Sequence, residues 1–350
     1  MFVPLQISAM KSPVSQFFRT NNIFREISTK SSPKRGLKCR SPVDAMSEFE
    51  ETLIERMRNI IPKSEREVGS LEWVKSAMEC LCAVHVDLQN LMLRLDLPVT
   101  TWDEAWIEIY LDTSVKLLDL CIAFSSEIAR LNQGNLLVRC AVNGLDRDVK
   151  NQMTRVQSSF ASWNRSISSR NKRMENFTLI LNGLVEKLEM PKSKTCGKRK
   201  VLMSGMYGVR VLSAFLCGVL GTIFTGASEN MVEFRVAESC KWGAVYGDLE
   251  RFTNGGLKKL MAEREGGLLN EVKTVNDAMR KIEGDEAEWL NGLRGGVERL
   301  SNGLGSLENR VNDIFKVVLG GRDGVLSSLR SSINVQFPIE IPTLKLQTVV

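Results

Sequence analysis

Between residues 43 and 332 the apolar positions recur in steps of three and four rather than two, the spacing of one face of an α-helix. Phe49, Leu53, Met57 and Ile60 predict a first helix over Met46–Ile61, stopped by Pro62. Ala77, Leu81, Val84, Leu88, Leu91 and Leu95 predict a second from about Ser70 to Leu95, ended by Pro98. Thr101 is suited to cap a third, with Asp103 and Glu104 in the first turn, where the helix dipole favours acids. Its stripe is Leu117, Cys121, Phe124, Ile128 and Leu131, and Gly134 is expected to break or kink it. Residues 135–190 read as one or two further helices, with Phe160, Trp163 and Ile167 on one side and Phe177 to Leu188 on the other. A helical bundle is the simplest way to bury these faces.

Two later stretches are sharper. Leu290, Leu293, Val297, Leu300, Leu304, Leu307, Val311, Ile314 and Val318 step alternately by three and four, an unbroken a/d heptad pattern. It is a seam for a partner helix or the inner face of another bundle helix. Gly292, Gly295, Gly296, Gly303 and Gly305 lie within it, and each costs a helix about 1 kcal/mol against Ala, so a coil built here is weak without a partner. "FPIEIPTLKL" near the end is expected to be extended, because of its two prolines.

The other stretch, Val211–Ser228, has no charged residue, and extending it back to Val201 adds only Arg210. A bilayer-spanning helix needs about 20 predominantly apolar residues. Val211, Leu212, Phe215, Leu216, Val219, Leu220, Ile223 and Phe224 each favour insertion by roughly 0.3–0.6 kcal/mol, which the glycines and hydroxyl residues erode to a marginal sum. Ala214, Gly218, Thr222 and Gly226 form a small-residue ridge of the kind that packs membrane helices. Lys198, Arg199, Lys200 and Arg210 form a basic flank on one side, with Lys192 and Lys194 before it, and Arg210 is placed to snorkel to an interface. Membrane association is the favoured expectation, and a buried bundle helix is the alternative.

Composition sharpens this picture in three ways. None of the nine prolines falls between Pro98 and Pro191 or between Pro191 and Pro338, which suits long helices. The net charge of +6 comes from residues 1–42, where eight basic residues face one acid, so the rest has no bias toward nucleic acid. That tail is a transit-like or a plain disordered basic segment, and Met1–Met10 lacks the long apolar run of a secretory signal. The eight cysteines include no CxxC and are accompanied by a single histidine, which argues against zinc and for a reducing compartment.

The fold class expected is therefore all-α, an elongated bundle of long antiparallel helices with one hydrophobic helix and one heptad-patterned helix. The divisions are a basic tail (1–42), an N-terminal bundle (43–190), a basic linker (191–200), a hydrophobic segment (201–228), C-terminal amphipathic helices (229–332) and an extended tail (333–350). His85 stands one turn after Cys82, a conceivable nucleophile pair, but a packed histidine is the far commoner meaning. Asp103, Glu104, Glu108 and Asp112 share a helix face, more often solvated than cation-binding. No phosphate loop, nucleophile elbow or HExxH occurs, so no cofactor, metal or catalytic residue is expected.

The Trp73 helix followed by "LDLP", "WDEAW", "YLDTSVKLLDLC" and "LNQGNLL" resembles the plant BYPASS family, with similarity from about Phe49 to Ile333. The resemblance implies a plant-specific helical protein needed for root and shoot development, restraining a mobile root-made signal that arrests shoot growth. It supplies no catalytic residues. Relatives sharing the wider fold are linked to exocyst subunits and polarised secretion, and the family's N-terminal composition has suggested a plastid address. The function expected is a non-enzymatic, membrane-associated regulator that binds partners through the Leu290–Val318 seam and lipid through Val211–Gly226. Its expected location is an endomembrane or the cytosolic face of a membrane, with the chloroplast as the alternative. Two alternatives for function are an exocyst-linked adaptor and an enzyme or carrier acting on the signal precursor.

Overall fold

The computed structural model describes residues 41–95, 105–144, 149–168, 171–186, 188–189, 197–237, 239–263, 267–280 and 286–336. Every regular element among them is helical: α1 (Pro42–Asn59), α2 (Leu71–Leu95), α3 (Ala105–Asn143), α4 (Val149–Ser168), α5 (Lys172–Glu175), α6 (Phe177–Val185), α7 (Lys198–Thr225), α8 (Gly243–Glu263), α9 (Asn270–Arg280) and α10 (Glu286–Gln336). The basic tail through Arg40, the Thr101 cap with Asp103 and Glu104, Lys192 and Lys194, and the "FPIEIPTLKL" tail lie outside the described residues.

Helix α1 starts earlier than its apolar stripe. The Ser41 hydroxyl accepts from the Asp44 amide while the Asp44 carboxylate accepts from the Ser41 amide, a capping box with Pro42 at the first helical position. It runs antiparallel to α2. Trp73 Nε1 donates to the Ile60 carbonyl at one end (3.0 Å) and Arg94 pairs with Glu48 at the other (2.8 Å).

Helix α3 passes through Gly134 without a break. A Cβ at this position would stand 2.8 Å from Trp163 Cε3 of α4, which crosses here. The glycine therefore corrects the expected kink: its bare backbone gives the buried indole of Trp163 a seat. At the end of α7, Gly226 adopts φ 73°, the left-handed conformation that glycine enters at no steric cost, and it closes the helix.

Helix α10 settles which of the two readings of the heptad seam holds in this fold. All nine seam residues, Leu290 to Val318, are at most 9% exposed. They pack on α2 and α3 of the same chain. Asn135 Nδ2 donates to the Val297 carbonyl (3.1 Å) and Arg322 to that of Leu111 (2.7 Å), an antiparallel register on α3. Along α2 the direction is parallel, from Gly303 against Leu71 to Gln89 donating to the Val317 carbonyl (2.9 Å). The seam expected to meet a partner is an inner bundle face, and the support its glycines need comes from within the chain.

Helix α7 is likewise enclosed. Of its most apolar eighteen residues 94% are buried, and Val211, Leu212, Ala214, Phe215, Leu216, Gly218, Leu220, Thr222, Ile223 and Phe224 are all covered by helices of this chain, with Gly226 half-buried. It runs parallel to α1 and antiparallel to α2, with Gly208 against Leu53 and Gly205 against Leu91. The small-residue ridge works as such ridges do in membranes, by letting neighbours come close. Gly218 admits the Asn230 backbone, and Gly221 one turn on admits the ring of Phe177 from α6. Length and apolar composition are shared by core helices and membrane spans, which is why the sequence favoured lipid. In this fold α7 offers no lipid-facing side.

Candidate functional site

Where α2, α3, α7 and α10 meet, the apolar core encloses a group of polar side chains. The inward face of α2 that buries Val84 and Leu88 also carries His85, which is 6% exposed. Its Nε2 lies 3.0 Å from the Oγ of the fully buried Ser213 of α7. Burial disfavours the imidazolium and lowers the His85 pKa to about 4, so the ring is neutral near pH 7. A Ser–His hydrogen bond is two parts of a nucleophile arrangement. No carboxylate bonds the ring among the described residues, and neither side chain is open to a substrate. Cys82, the partner considered from sequence, lies half-buried near Arg310 and Asp313, off this cluster.

Beside the pair is a small cavity lined by His85 and Leu88 of α2; Tyr110, Thr113, Ser114 and Leu117 of α3; Met206, Val209 and Arg210 of α7; and Val318 of α10. Its volume is about 10 Å3, room for the centre of one water molecule. Ser114 donates to the Tyr110 carbonyl (2.6 Å). The Thr113 hydroxyl and Arg210 Nε are buried and find no partner among the described residues.

Arg210 departs most from expectation. A snorkelling side chain would reach an interface, whereas Arg210 is 9% exposed. One Nη donates to the carbonyls of Leu184 and Glu186 (3.2 Å each), tying α7 to the end of α6, where the helix dipole favours a cation. Burial lowers its pKa, with the Asp112 charge opposing the shift. Lys198, Arg199 and Lys200 do not join it. They occupy the first turn of α7, about 15 Å along the axis, with Lys198 and Arg199 exposed and Lys200 half-buried.

The acidic face of α3 is also dispersed. Glu108 and Asp112 are exposed, and Asp112 pairs with Lys116 (2.6 Å). Among the described residues, no three His, Cys, Asp or Glu side chains gather as a metal site. Cys80, Cys82, Cys121, Cys140 and Cys217 are free thiols. Burial pushes the Cys80 and Cys121 thiols up to about 12, and Cys217 up as well. The sequence reading missed one further cluster. Glu127 is buried, pairs with Arg130 one turn on, and accepts from Asn171 Nδ2 (3.0 Å), which anchors α5 to α3.

Comparisons with known proteins complete the site's context. The Arabidopsis thaliana protein named "Protein BPS1, chloroplastic" is 35% identical over 327 residues, covering 92% of this chain and 93% of its own length. The chain belongs to the BYPASS family. A family model described as "Protein ROH1-like" matches residues 14–162, and so takes in α1, α2, α3 and most of α4. Two rice proteins, both named "UPF0496 protein 4", from Oryza sativa subsp. japonica and indica, are each 30% identical over 270 residues. Those matches cover 76% of this chain and 58% of each rice protein. No solved structure matches. The name of the Arabidopsis relative places that protein in the chloroplast, which overturns the endomembrane or cytosolic-face location expected here; that expectation rested on α7, whose apolar residues are spent inside the bundle.

Proposed function

We propose that this protein is a non-catalytic helical regulator of plant root and shoot development, acting in the chloroplast through protein contacts and restraining a mobile root-derived signal that arrests shoot growth. The observation that carries the reading is the collinear match to a chloroplast-named BYPASS protein over nearly the whole chain. The enclosed state of the His85–Ser213 pair supports a role without catalysis, because a substrate has no approach to either side chain.

Partner contact belongs to side chains that the bundle leaves outside. On α3, Val115, Ile122 and Leu136 are separated by multiples of seven residues and are 42%, 39% and 55% exposed, and Leu179 of α6 is 72% exposed. These positions replace the buried Leu290–Val318 seam as the expected contact.

The test is grafting combined with complementation. Wild-type shoots are joined to roots that lack this protein, and the roots are then supplied with the parent chain or with Ile122→Lys/Leu136→Lys. The reading expects shoot arrest, relief by the parent chain and none by the double variant, while the variant accumulates normally. Relief by the variant would remove α3's outer stripe from the mechanism. Shoots growing freely on protein-deficient roots would remove the signal.

A second reading is favoured by the match of residues 14–162 to the ROH1-like model: an adaptor that binds exocyst subunits through protein contacts. Recovery of exocyst subunits with the full chain in a pull-down from plant cells, or their absence from it, separates this reading from the first.

A further inference from the structure

The core cavity holds an imbalance that the bundle does not resolve. Arg210 is more than nine-tenths buried, and its hydrogen bonds to the Leu184 and Glu186 carbonyls use one Nη only. Arg210 lines the cavity, and its buried Nε–H has no acceptor among the described residues. Asp112, whose charge the guanidinium senses, is bonded to Lys116 and is half in solvent. Thr113, which lines the same cavity, also has a buried hydroxyl without a partner, so two residues with unused donors line one small space. A native core satisfies nearly all buried polar groups, and a buried cation without an anion costs several kcal/mol. His85 cannot add a positive charge here, because its burial keeps it neutral.

We infer that this cavity is a binding site for a single small monovalent anion of halide size, held by Arg210 Nε–H and the Thr113 hydroxyl. The size follows from the volume of about 10 Å3, which admits one water-sized sphere and excludes phosphate or a larger acid without displacement of the walls. The charge follows from the guanidinium. A water would satisfy both donors, but the α6 carbonyls and the solvated Asp112 offset the buried charge only in part, whereas a halide also supplies a full negative charge. Of the remaining lining residues, Leu88, Leu117, Met206, Val209 and Val318 are apolar and His85, Tyr110 and Ser114 carry polar groups, and the apolar majority suits a weakly hydrated anion and strengthens its attraction to the guanidinium. The bound anion would join α3 to α7 at mid-bundle.

The test uses the full chain at constant ionic strength, with chloride or bromide exchanged for gluconate, which is too large to enter. Thermal midpoints and 35Cl line width are read together. Site binding at about ten times the dissociation constant raises the midpoint by roughly 2 °C in chloride over gluconate, and it broadens the chloride resonance. Thr113→Val, close in shape, should cut both effects by more than half, and Arg210→Met should abolish them. If Arg210→Met does not fold, Thr113→Val carries the test. Equal midpoints and line widths in chloride and gluconate would overturn the proposal. So would a chloride effect that survives Thr113→Val undiminished, since the anion would then sit elsewhere.

Discussion

Replacing Gly221 by Ala asks whether α7 is packed in protein or faces lipid, because the two environments give opposite signs. An added Cβ meets the Phe177 ring, with Cζ at 2.8 Å and Cδ1 at 3.1 Å. That ring has no room to retreat: Phe177 is fully buried and lies 5.3 Å, centroid to centroid, from Phe124. Helix propensity alone favours Ala over Gly by about 1 kcal/mol. Overpacking a filled core costs about 1–3 kcal/mol. The net expectation is a loss of about 1 kcal/mol, growing to about 3 kcal/mol or more in Gly221→Leu, which adds four heavy atoms where Ala adds one. Gly292 of α10 supplies the control, since it is exposed and a Cβ there meets nothing within 4 Å, so Ala should stabilise by about 0.5–1 kcal/mol. Urea unfolding of the full chain, followed by helical circular dichroism in detergent-free buffer, reads both. If Gly221→Ala gains stability alongside Gly292→Ala, Phe177 does not sit on α7 and the packing described here is wrong.

Other expectations follow from the same core. His85 is depressed to about 4 in the folded state against an ordinary 6.5, so the unfolded chain binds more protons between those values. Stability should therefore fall as pH drops from about 6.5 to about 4, by up to about 1.4 kcal/mol per pH unit, and His85→Gln should flatten that part of a urea-midpoint profile. Leu300→Lys puts an unpaired charge on a fully buried position and should abolish soluble expression, whereas Ile122→Lys on the outer stripe should express as the parent does; equal yields would contradict the assignment of inner and outer faces. A thiol reagent at neutral pH should label exposed Cys140 rapidly and leave Cys80, Cys121 and Cys217 silent until urea is added, which peptide mapping after labelling would show. Truncating Glu127 to Ala leaves the partly buried Arg130 without its carboxylate and should cost about 3 kcal/mol by the same unfolding assay.

Much of the fold was legible because burial enforces period. The stripes on α2 and α3, and the seam from Leu290 to Val318, are all buried where their spacing placed them on one face. Which neighbour covers a face is a tertiary fact that spacing does not carry, so the seam could not be told from a partner contact, nor α7 from a membrane span. Gly134 shows the same limit. A glycine in a helix signals either a break or a close approach, and only the position of Trp163 distinguishes them. The helix start capped by Ser41 could have been found, because Ser-Pro-Val-Asp is a capping-box arrangement just ahead of an apolar stripe. The cavity was hidden for a different reason. His85, Thr113, Arg210 and Ser213 each look incidental on an otherwise apolar helix face, and their meaning comes from convergence across three helices.

Hydrogen exchange over peptides spanning Val201–Thr225 tests most directly whether α7 is the bundle's core. The full chain would be held in detergent-free buffer and its exchange compared with the exposed end of α6. A core helix exchanges only by global unfolding, so these amides should be the slowest in the protein and unchanged when vesicles are added. Rapid exchange in buffer, with protection appearing only on addition of vesicles or detergent, would show that the helix belongs in lipid and would contradict the packing described here.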